Sequence, residues 1–427
     1  MKFIKIFTQY DEKIEKTLEV DPLGFVAIWT YFGQNIFHNK ISSVASDIRS
    51  FNINLFNHFL IKSIASSGSK TLQNQFEKNH KESVEKLILI LENMLIWSWY
   101  REKGRWGESK NGLLGTSKAI TKWEESQINL DITDKIENLE LLKRQKTTGV
   151  NGRYKGAFIA MDFFDSNYDD ESYFNDKLFD EVENIVENNK ALNELYKSLL
   201  SLFQDDSLDI NKIPISLFTN AFKDIQTTAK DTQLFWLDKL GLERDEAKVI
   251  YEQISEEDEV LTWDDVKNLF TNAYEELESP NIKIILELEK KLSYLDGLLD
   301  YLIFYDNEEI KKVSEKKYFK NLQKLSFENE IDAIKKDCVA KKRLIELHKI
   351  NSIDSLINYH NLIMQERGHN PWIKNNDGVI ETNIKKVTGK EELEEKLSVD
   401  LDSTIWIHDY YMSSLVSIKK GFSYETI

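Results

Sequence analysis

Only four prolines, at positions 22, 214, 280 and 371, interrupt 427 residues. A chain with so few of the strongest helix breaker can run helical over most of its length. Leu, Ile, Lys, Glu and Asn dominate what lies between, and the apolar spacing agrees. Ile53, Phe56, Phe59, Leu60 and Ile64 recur at helical intervals, as do Val84, Leu87, Ile88, Leu91, Leu95 and Trp99, so each set predicts a helix with a core face. Residues 25 to 65 read as two or three packed helices, introduced by the turn Asp21-Pro22-Leu23-Gly24 with Pro22 in the first helical turn. After Pro280, Ile284, Ile285, Leu288, Leu292, Leu295, Leu299 and Leu302 form a seam close to a heptad. That seam can be buried inside the chain or in a dimer, so oligomerisation through 284–302 is open.

Strand signals are confined to the C-terminal part. Pro371-Trp372-Ile373-Lys374 and Val379-Ile380-Glu381-Thr382 flank Asn375-Asn376-Asp377-Gly378, and Asp-Gly suits the positive φ of a type I′ hairpin turn. A helix ending near Arg367 precedes them, the order of a winged helix's recognition helix and wing and also of many other α+β folds. The expected fold is therefore mainly α, with a minor α+β part: multi-helix bundles and a small C-terminal β-hairpin. Three domains are expected. Residues 1–205 form an N-terminal helical domain, 206–280 a middle helical domain whose start is marked by Asp205-Asp206-Ser207 and Pro214, and 281–427 a domain of long helices and the hairpin.

The strongest local contrast is electrostatic. Formal charge is −17 overall, yet Arg101 to Gly156 holds 12 Lys/Arg against 8 Asp/Glu, a balance of +4, together with seven of the sixteen glycines. An acidic chain of this kind is not a general polyanion binder, but a local basic site remains open. Glycines let backbone N–H groups approach an oxyanion closely, so Gly149, Gly152 and Gly156 beside Arg153 and Lys155 suggest a phosphate-binding nest, and Tyr154 could stack on a base. The residues proposed to bind a ligand or partner are Arg105, Lys143, Arg144, Lys146, Arg153, Tyr154 and Lys155. The alternative is that this basic segment docks on the chain's own acidic tract at 162–187, which carries ten Asp/Glu and one Lys. The segment 100–160 is expected to be rich in loops, with one helix between Thr116 and Gln127.

Motifs of known chemistry are missing from the sequence. It holds no Gly-x-x-x-x-Gly-Lys-Ser/Thr, no dinucleotide fingerprint and no Gly-x-Ser-x-Gly. Seven scattered histidines and the single Cys338 form no ligand-spaced set. Asp162, Asp165, Asp169, Asp170 and Glu171 offer hard oxygens for a divalent cation but fail the EF-hand spacing, and a solvated helix N-terminus is the favoured reading. His360, His369 and Arg367 suggest a small polar site or the capping of a helix C-terminus. Catalytic residues are not identified, and no metal or cofactor is called for. Met1 to Val20 lacks the apolar core of a signal peptide, and no apolar run approaches the roughly 20 residues of a membrane helix. A cytoplasmic protein without membrane contact is expected.

Three stretches carry a resemblance: Asp21-Pro22-Leu23-Gly24 with the run from Trp29 to Phe32, Gly112-Leu113-Leu114-Gly115, and Arg367-Gly368-x-x-Pro371-Trp372-Ile373. Together they resemble uncharacterised bacterial proteins associated with antiphage-defence gene clusters. The resemblance implies a component working beside an ATPase or nuclease encoded elsewhere, and it carries over no catalytic residue. The expected function is that of a non-catalytic subunit of a multi-component system, binding a partner protein or phosphate-bearing ligand through 101–156. The alternatives are a nucleic-acid-binding protein using that segment or the hairpin, and a metal-dependent nuclease or phosphatase using the 162–171 carboxylates.

Overall fold

The computed structural model describes residues 21–102, 130–142, 144–205, 208–222, 225–255, 260–384, 393, 397 and 405–423. In chain order the helices are α1 (Val26–Ile36), α2 (Ile48–Ser67), α3 (Lys70–Lys78), α4 (His80–Arg101), α5 (Ile136–Leu139), α6 (Gln145–Thr148), α7 (Val150–Ala160), α8 (Asp176–Asn188), α9 (Lys190–Leu202), α10 (Ile215–Phe222) and α11 (Ile225–Leu240). They continue as α12 (Asp245–Gln253), α13 (Trp263–Leu277), α14 (Pro280–Phe304), α15 (Ile310–Ser314), α16 (Glu328–Ala333), α17 (Val339–His348) and α18 (Ile353–Glu366). The strands β1 (Ile373–Asn376) and β2 (Val379–Thr382) follow, then α19 (Met412–Ser423). The chain is mainly helical, with one two-stranded antiparallel sheet.

Helix starts follow from side chains that satisfy free backbone N–H groups, each worth about 1 kcal/mol. Asp47 accepts from Arg49 and Ser50 to open α2, Asn79 from Glu82 to open α4, and Asn175 from Leu178 to open α8. Thr262 and Asp265 form a capping box on α13, and Ser279 caps α14 with Pro280 in its first turn. Pro22 stands outside α1: the Asp21 carboxylate caps it by accepting from Phe25 N at 2.8 Å and Val26 N at 3.0 Å. The expectation that Pro22 enters the helix fails because Asp21 sets the start four residues later.

Two compact units divide the chain. One comprises the described residues of 37–244 and of 413 onward. At its centre α2 is buried nearly all round, from Ile48 to Ile64, and packs against α3, α4, α7, α8, α9 and α11. Phe51 stacks its ring edge on Tyr154 at 4.7 Å and lies 5.1 Å from Trp236, whose indole N–H donates to Asn52 at 2.7 Å. Such ring contacts add to burial roughly 0.5–1.5 kcal/mol a pair.

The second unit comprises the described residues of 21–36 and 245–412. Its axis is α14, which packs on α1, α13 and α16. Ile285, Leu288, Leu292, Leu295, Leu299 and Leu302 are at most 1% exposed, so the leucine seam is used up inside this unit. The two helices in 25–65 divide between the units: α1 belongs with α14 and α17, α2 with the first unit. Apolar spacing shows that a helix has a core face and leaves open which partner covers it.

The expected hairpin forms, with its first strand two residues later than the flanking run suggests, Ile373 opposite Thr382 and Asn376 opposite Val379. Asp377 (φ 51°) and Gly378 (φ 87°) supply its turn. The outer edge of β2 is taken by residues 307–310: Asn307 N donates to Ile380 O, Ile380 N to Glu308 O, and Ile310 N to Gly378 O, at 2.8 to 2.9 Å. A hairpin docked along the acidic turn Asp306–Glu309 presents carboxylates near the face a wing would offer to phosphate.

Residues 145–160, expected as loop, form α6 and α7 in close approach, and this explains one glycine directly. A Cβ on Gly152 would lie 2.5 to 2.6 Å from the backbone of Lys146 and Thr147, whereas one on Gly156 meets nothing within 4 Å. The two glycines in one helix should therefore respond oppositely to alanine. Gly152→Ala is expected to lower the urea midpoint, by roughly 1–3 kcal/mol of overpacking, and Gly156→Ala to raise it by about 0.5–1 kcal/mol.

Candidate functional site

The basic segment is organised by a buried carboxylate. Helix α7 begins at Val150 with Gly149 as its N-cap and no side chain of its own to cap it. Glu92, from the middle of α4 and 3% exposed, fills that role. Its Oε1 accepts from Asn151 N at 2.8 Å, its Oε2 accepts from the Gln145 amide at 3.1 Å, and Val150 N also donates to it. A Cβ at position 149 would lie 2.3 Å from Glu92 Oε2, so glycine here is what admits the carboxylate. The helix N-terminus that the sequence suggests for a phosphate holds the chain's own oxyanion, as its dipole and free N–H groups favour.

Around this centre the polar groups are joined in a network. Gln145 accepts from Leu141 N at 2.9 Å and Leu142 N at 3.3 Å and donates to Asn93 Oδ1 at 3.0 Å, while Asn93 donates to Leu139 O at 2.8 Å. Asn151 continues the network: its amide donates to Tyr168 OH at 3.0 Å and its Oδ1 lies 2.8 Å from His58 Nε2. His58 Nδ1 lies 2.7 Å from Tyr173 OH. Because Asn151 Oδ1 can only accept, neutral His58 carries its proton on Nε2 and takes the tyrosine proton on Nδ1. Burial pushes Glu92 up to about 7 against the hydrogen bonds from Asn151, Gln145 and Val150, and pushes His58 down to about 3.

Above the network lies a basic surface. Lys146 donates to Glu85 Oε2 at 2.6 Å, Lys81 to Asn167 Oδ1 at 3.1 Å, and Lys155 to Ser166 O at 3.0 Å while lying 4.0 Å over the Tyr168 ring. Desolvation lowers the pKa of Lys155, Glu85 opposes, and the charges of Lys81 and Lys146 lower it further. Arg153 is two residues from Lys155 on α7 and so points about 200° away; the two do not converge. Arg144, exposed, holds a left-handed conformation at φ 62° as the residue before α6. Tyr154 is 2% exposed, with its hydroxyl accepting from Asp47 N at 3.0 Å, so its ring serves the core of the first unit. Arg105 and Lys143 lie outside the described residues, as does the helix expected at 116–127.

The acidic tract is occupied locally. Asp165 Oδ1 accepts from Asn167 N at 2.8 Å and Asp169 N at 3.0 Å, and no group of three metal-ligating side chains is placed to hold an ion among the described residues. Among those residues no helix is long and apolar enough to cross a membrane.

In the second unit Glu289 is a second buried carboxylate, invisible as a site in the sequence. It accepts from Trp29 Nε1 at 3.0 Å, Tyr410 OH at 2.8 Å, Ile407 N at 2.8 Å and His408 N at 3.0 Å. His408 stacks on Trp29 at 4.5 Å. Burial raises Glu289 to about 7 and lowers His408 to about 4. The residues that carry the antiphage resemblance at 21–24 and 367–373 also meet in this unit. Arg367 pairs with Asp21 at 2.7 Å, Tyr359 OH donates to Leu23 O at 2.8 Å, and His360 donates through Nδ1 to Pro22 O at 3.0 Å and accepts through Nε2 from Trp372 N at 2.9 Å. This is a clamp made of satisfied pairs, in which the Arg367 and His360 side chains reach residues 21–22 and 372 and not the last carbonyls of α18.

The chain matches no protein-family model, no curated protein and no solved structure.

Two outcomes follow from the network. Glu92→Gln places an amide donor against the donors it now accepts from, and is expected to cost about 1–3 kcal/mol in urea unfolding. In acid the first unit should behave as two opposing titrations. Between pH 4.5 and 6.5, the ordinary values of the two groups, folded Glu92 keeps a proton that the unfolded chain has lost, and folded His58 lacks one that it has gained. Their slopes cancel there. Below 4.5 the histidine alone acts and stability falls with acid; from 6.5 to about 7 the glutamate alone acts and stability falls with base. His58→Gln, which keeps a donor and an acceptor, should uncover the glutamate's decline from pH 4.5 to 7, up to about 1.4 kcal/mol per pH unit in denaturation curves.

Proposed function

We propose that the chain is a binding subunit whose α6–α7 surface engages the acidic face of a partner protein, with the chemistry of the system residing in that partner. The observation that supports this most is the gathering of Lys81, Lys146 and Lys155, close enough for the charges of the other two lysines to lower the pKa of Lys155 while Glu85 and Asp165 oppose them. Excess positive charge held on rigid helices in a strongly acidic chain steers an oppositely charged partner. Arg144 precedes α6 and Arg153 stands on α7 about 200° round from Lys155, and neither pairs with a carboxylate among the described residues. Beneath this surface the network of Glu92, Gln145 and Asn151 fixes α6 and α7 in place, as an interaction surface requires. The role of a component beside an ATPase or nuclease, which the resemblance to antiphage-defence proteins implies, fits a surface of this kind. A cytoplasmic site of action belongs to the same proposal.

The test is capture of partners from the native host by tagged wild type and by the Arg144→Glu/Arg153→Glu variant. Wild type is expected to retain a stoichiometric protein that the variant loses, with the two showing the same thermal midpoint. Equal capture by both would remove this surface from consideration. Nucleic acid in the wild-type eluate, with affinity falling steeply with salt, would replace the protein partner with a polyanion on the same residues.

A further inference from the structure

Gly241 ends α11 in the left-handed region, φ 76°, and closes the helix with a Schellman pair. Its N–H donates to Asp238 O and the N–H of Leu242 to Leu237 O, both at 2.9 Å. Having no Cβ, Gly241 leaves a space on which three basic side chains converge: a methyl built there would lie 3.5 Å from Arg244 Nε, 3.6 Å from Lys40 Nζ and 3.9 Å from His38 Cδ2. Lys40 reaches this point from a loop in which His38 and Asn39 also hold positive φ, 50° and 62°. It is 9% exposed, while Arg244 and His38 are exposed. Neither Lys40 nor Arg244 makes an ion pair with a carboxylate among the described residues.

Folding has brought two cations together, Lys40 buried and Arg244 exposed, and like charges held this close favour an added anion. Burial lowers the pKa of Lys40 most and the charge of Arg244 next, and the opposing effects of Asp238 and Asp162 are each smaller than that of Arg244. Lys239 beside them is neutralised by Glu181 at 2.8 Å. One cation at the C-terminal end of α11 answers the helix dipole. The second exceeds what the dipole asks for.

We propose that Lys40, Arg244 and His38 form a binding site for a phosphate group, entered from the exposed side of Arg244 and His38. Lys40 supplies a buried point charge and Arg244 a planar fork, the two ways side chains hold phosphate oxygens. The site shares no residue with the α6–α7 surface and stands independently of the function proposed for it. Free inorganic phosphate and an organic phosphomonoester offer the same chemistry.

Calorimetric titration of the full chain with inorganic phosphate, and separately with phenyl phosphate, tests the site. Wild type should bind at least one of them saturably, and Arg244→Gln and Lys40→Met should each weaken that binding about tenfold or more, the loss of one charge-assisted contact. Tighter binding of inorganic phosphate assigns the site to the free anion; tighter binding of the ester assigns it to a phosphorylated molecule. The Arg144→Glu/Arg153→Glu variant should bind as wild type does. Without phosphate, Lys40→Met should melt at or above the wild-type temperature, because burial and the charge of Arg244 both disfavour the charge it removes, each by more than Asp238 or Asp162 favours it. No saturable binding of either probe, or undiminished binding by Arg244→Gln, which alters only an exposed side chain, overturns the proposal.

Discussion

A carboxylate held by backbone N–H groups organises the best-defined polar region of this chain. Glu92 stands in the middle of α4, away from any helix end, yet it caps α7 because Gly149 leaves room for it. Everything the basic segment presents depends on that contact. Gln145 holds the loop at 139–142 against the same carboxylate, Asn151 carries the network on to His58, and α6 and α7 come so close that only glycine fits at 152. Glycines that read as a nest for a ligand's oxyanion serve instead to admit one from the chain itself and to let two helices touch.

The second unit uses the same device. Glu289 gathers two backbone N–H groups, an indole and a phenol from segments far apart in sequence, and so ties residue 29 and residues 407–410 to α14. In each unit a buried acid raised toward neutrality stands with a buried histidine held neutral, His58 in one and His408 in the other. Each group is costly to bury alone and tolerable only because its hydrogen bonds are made. Networks satisfied to this degree specify a single arrangement of helices, which suits a rigid surface better than a reacting centre.

The functional proposal rests on the charged surface around α6 and α7, where several cations gather. Lys155 lies among the charges of Lys81, Lys146, Glu85 and Asp165, Lys62 and His80 approach Asp170, and Asp165 also accepts from backbone N–H groups of its own turn. The polar residues at 21–24 and 360–372 are likewise matched to each other.

Helix content, the long helix after Pro280 and the Asp-Gly turn of the hairpin were all legible in the sequence, because each depends on residues within a few positions of one another. So was the location of the basic segment, since charge is additive along a chain. The roles of its residues were not. Tyr154 reads as a stacking surface and lies in the core, because its ring is covered by α2, far away in sequence; Gly152 reads as a loop residue and lies inside a helix, pressed against the backbone of Lys146 and Thr147. For the same reason Glu92 and Glu289 pass unnoticed within apolar runs. By itself the sequence determined that this chain is helical, acidic and locally basic, through backbone propensity and side-chain charge. Only the tertiary structure decided that the leucine seam of α14 is covered within its own unit and that the glycine-flanked helix start is already filled. Which surface meets which is a property of the packed chain, and no local pattern encodes it.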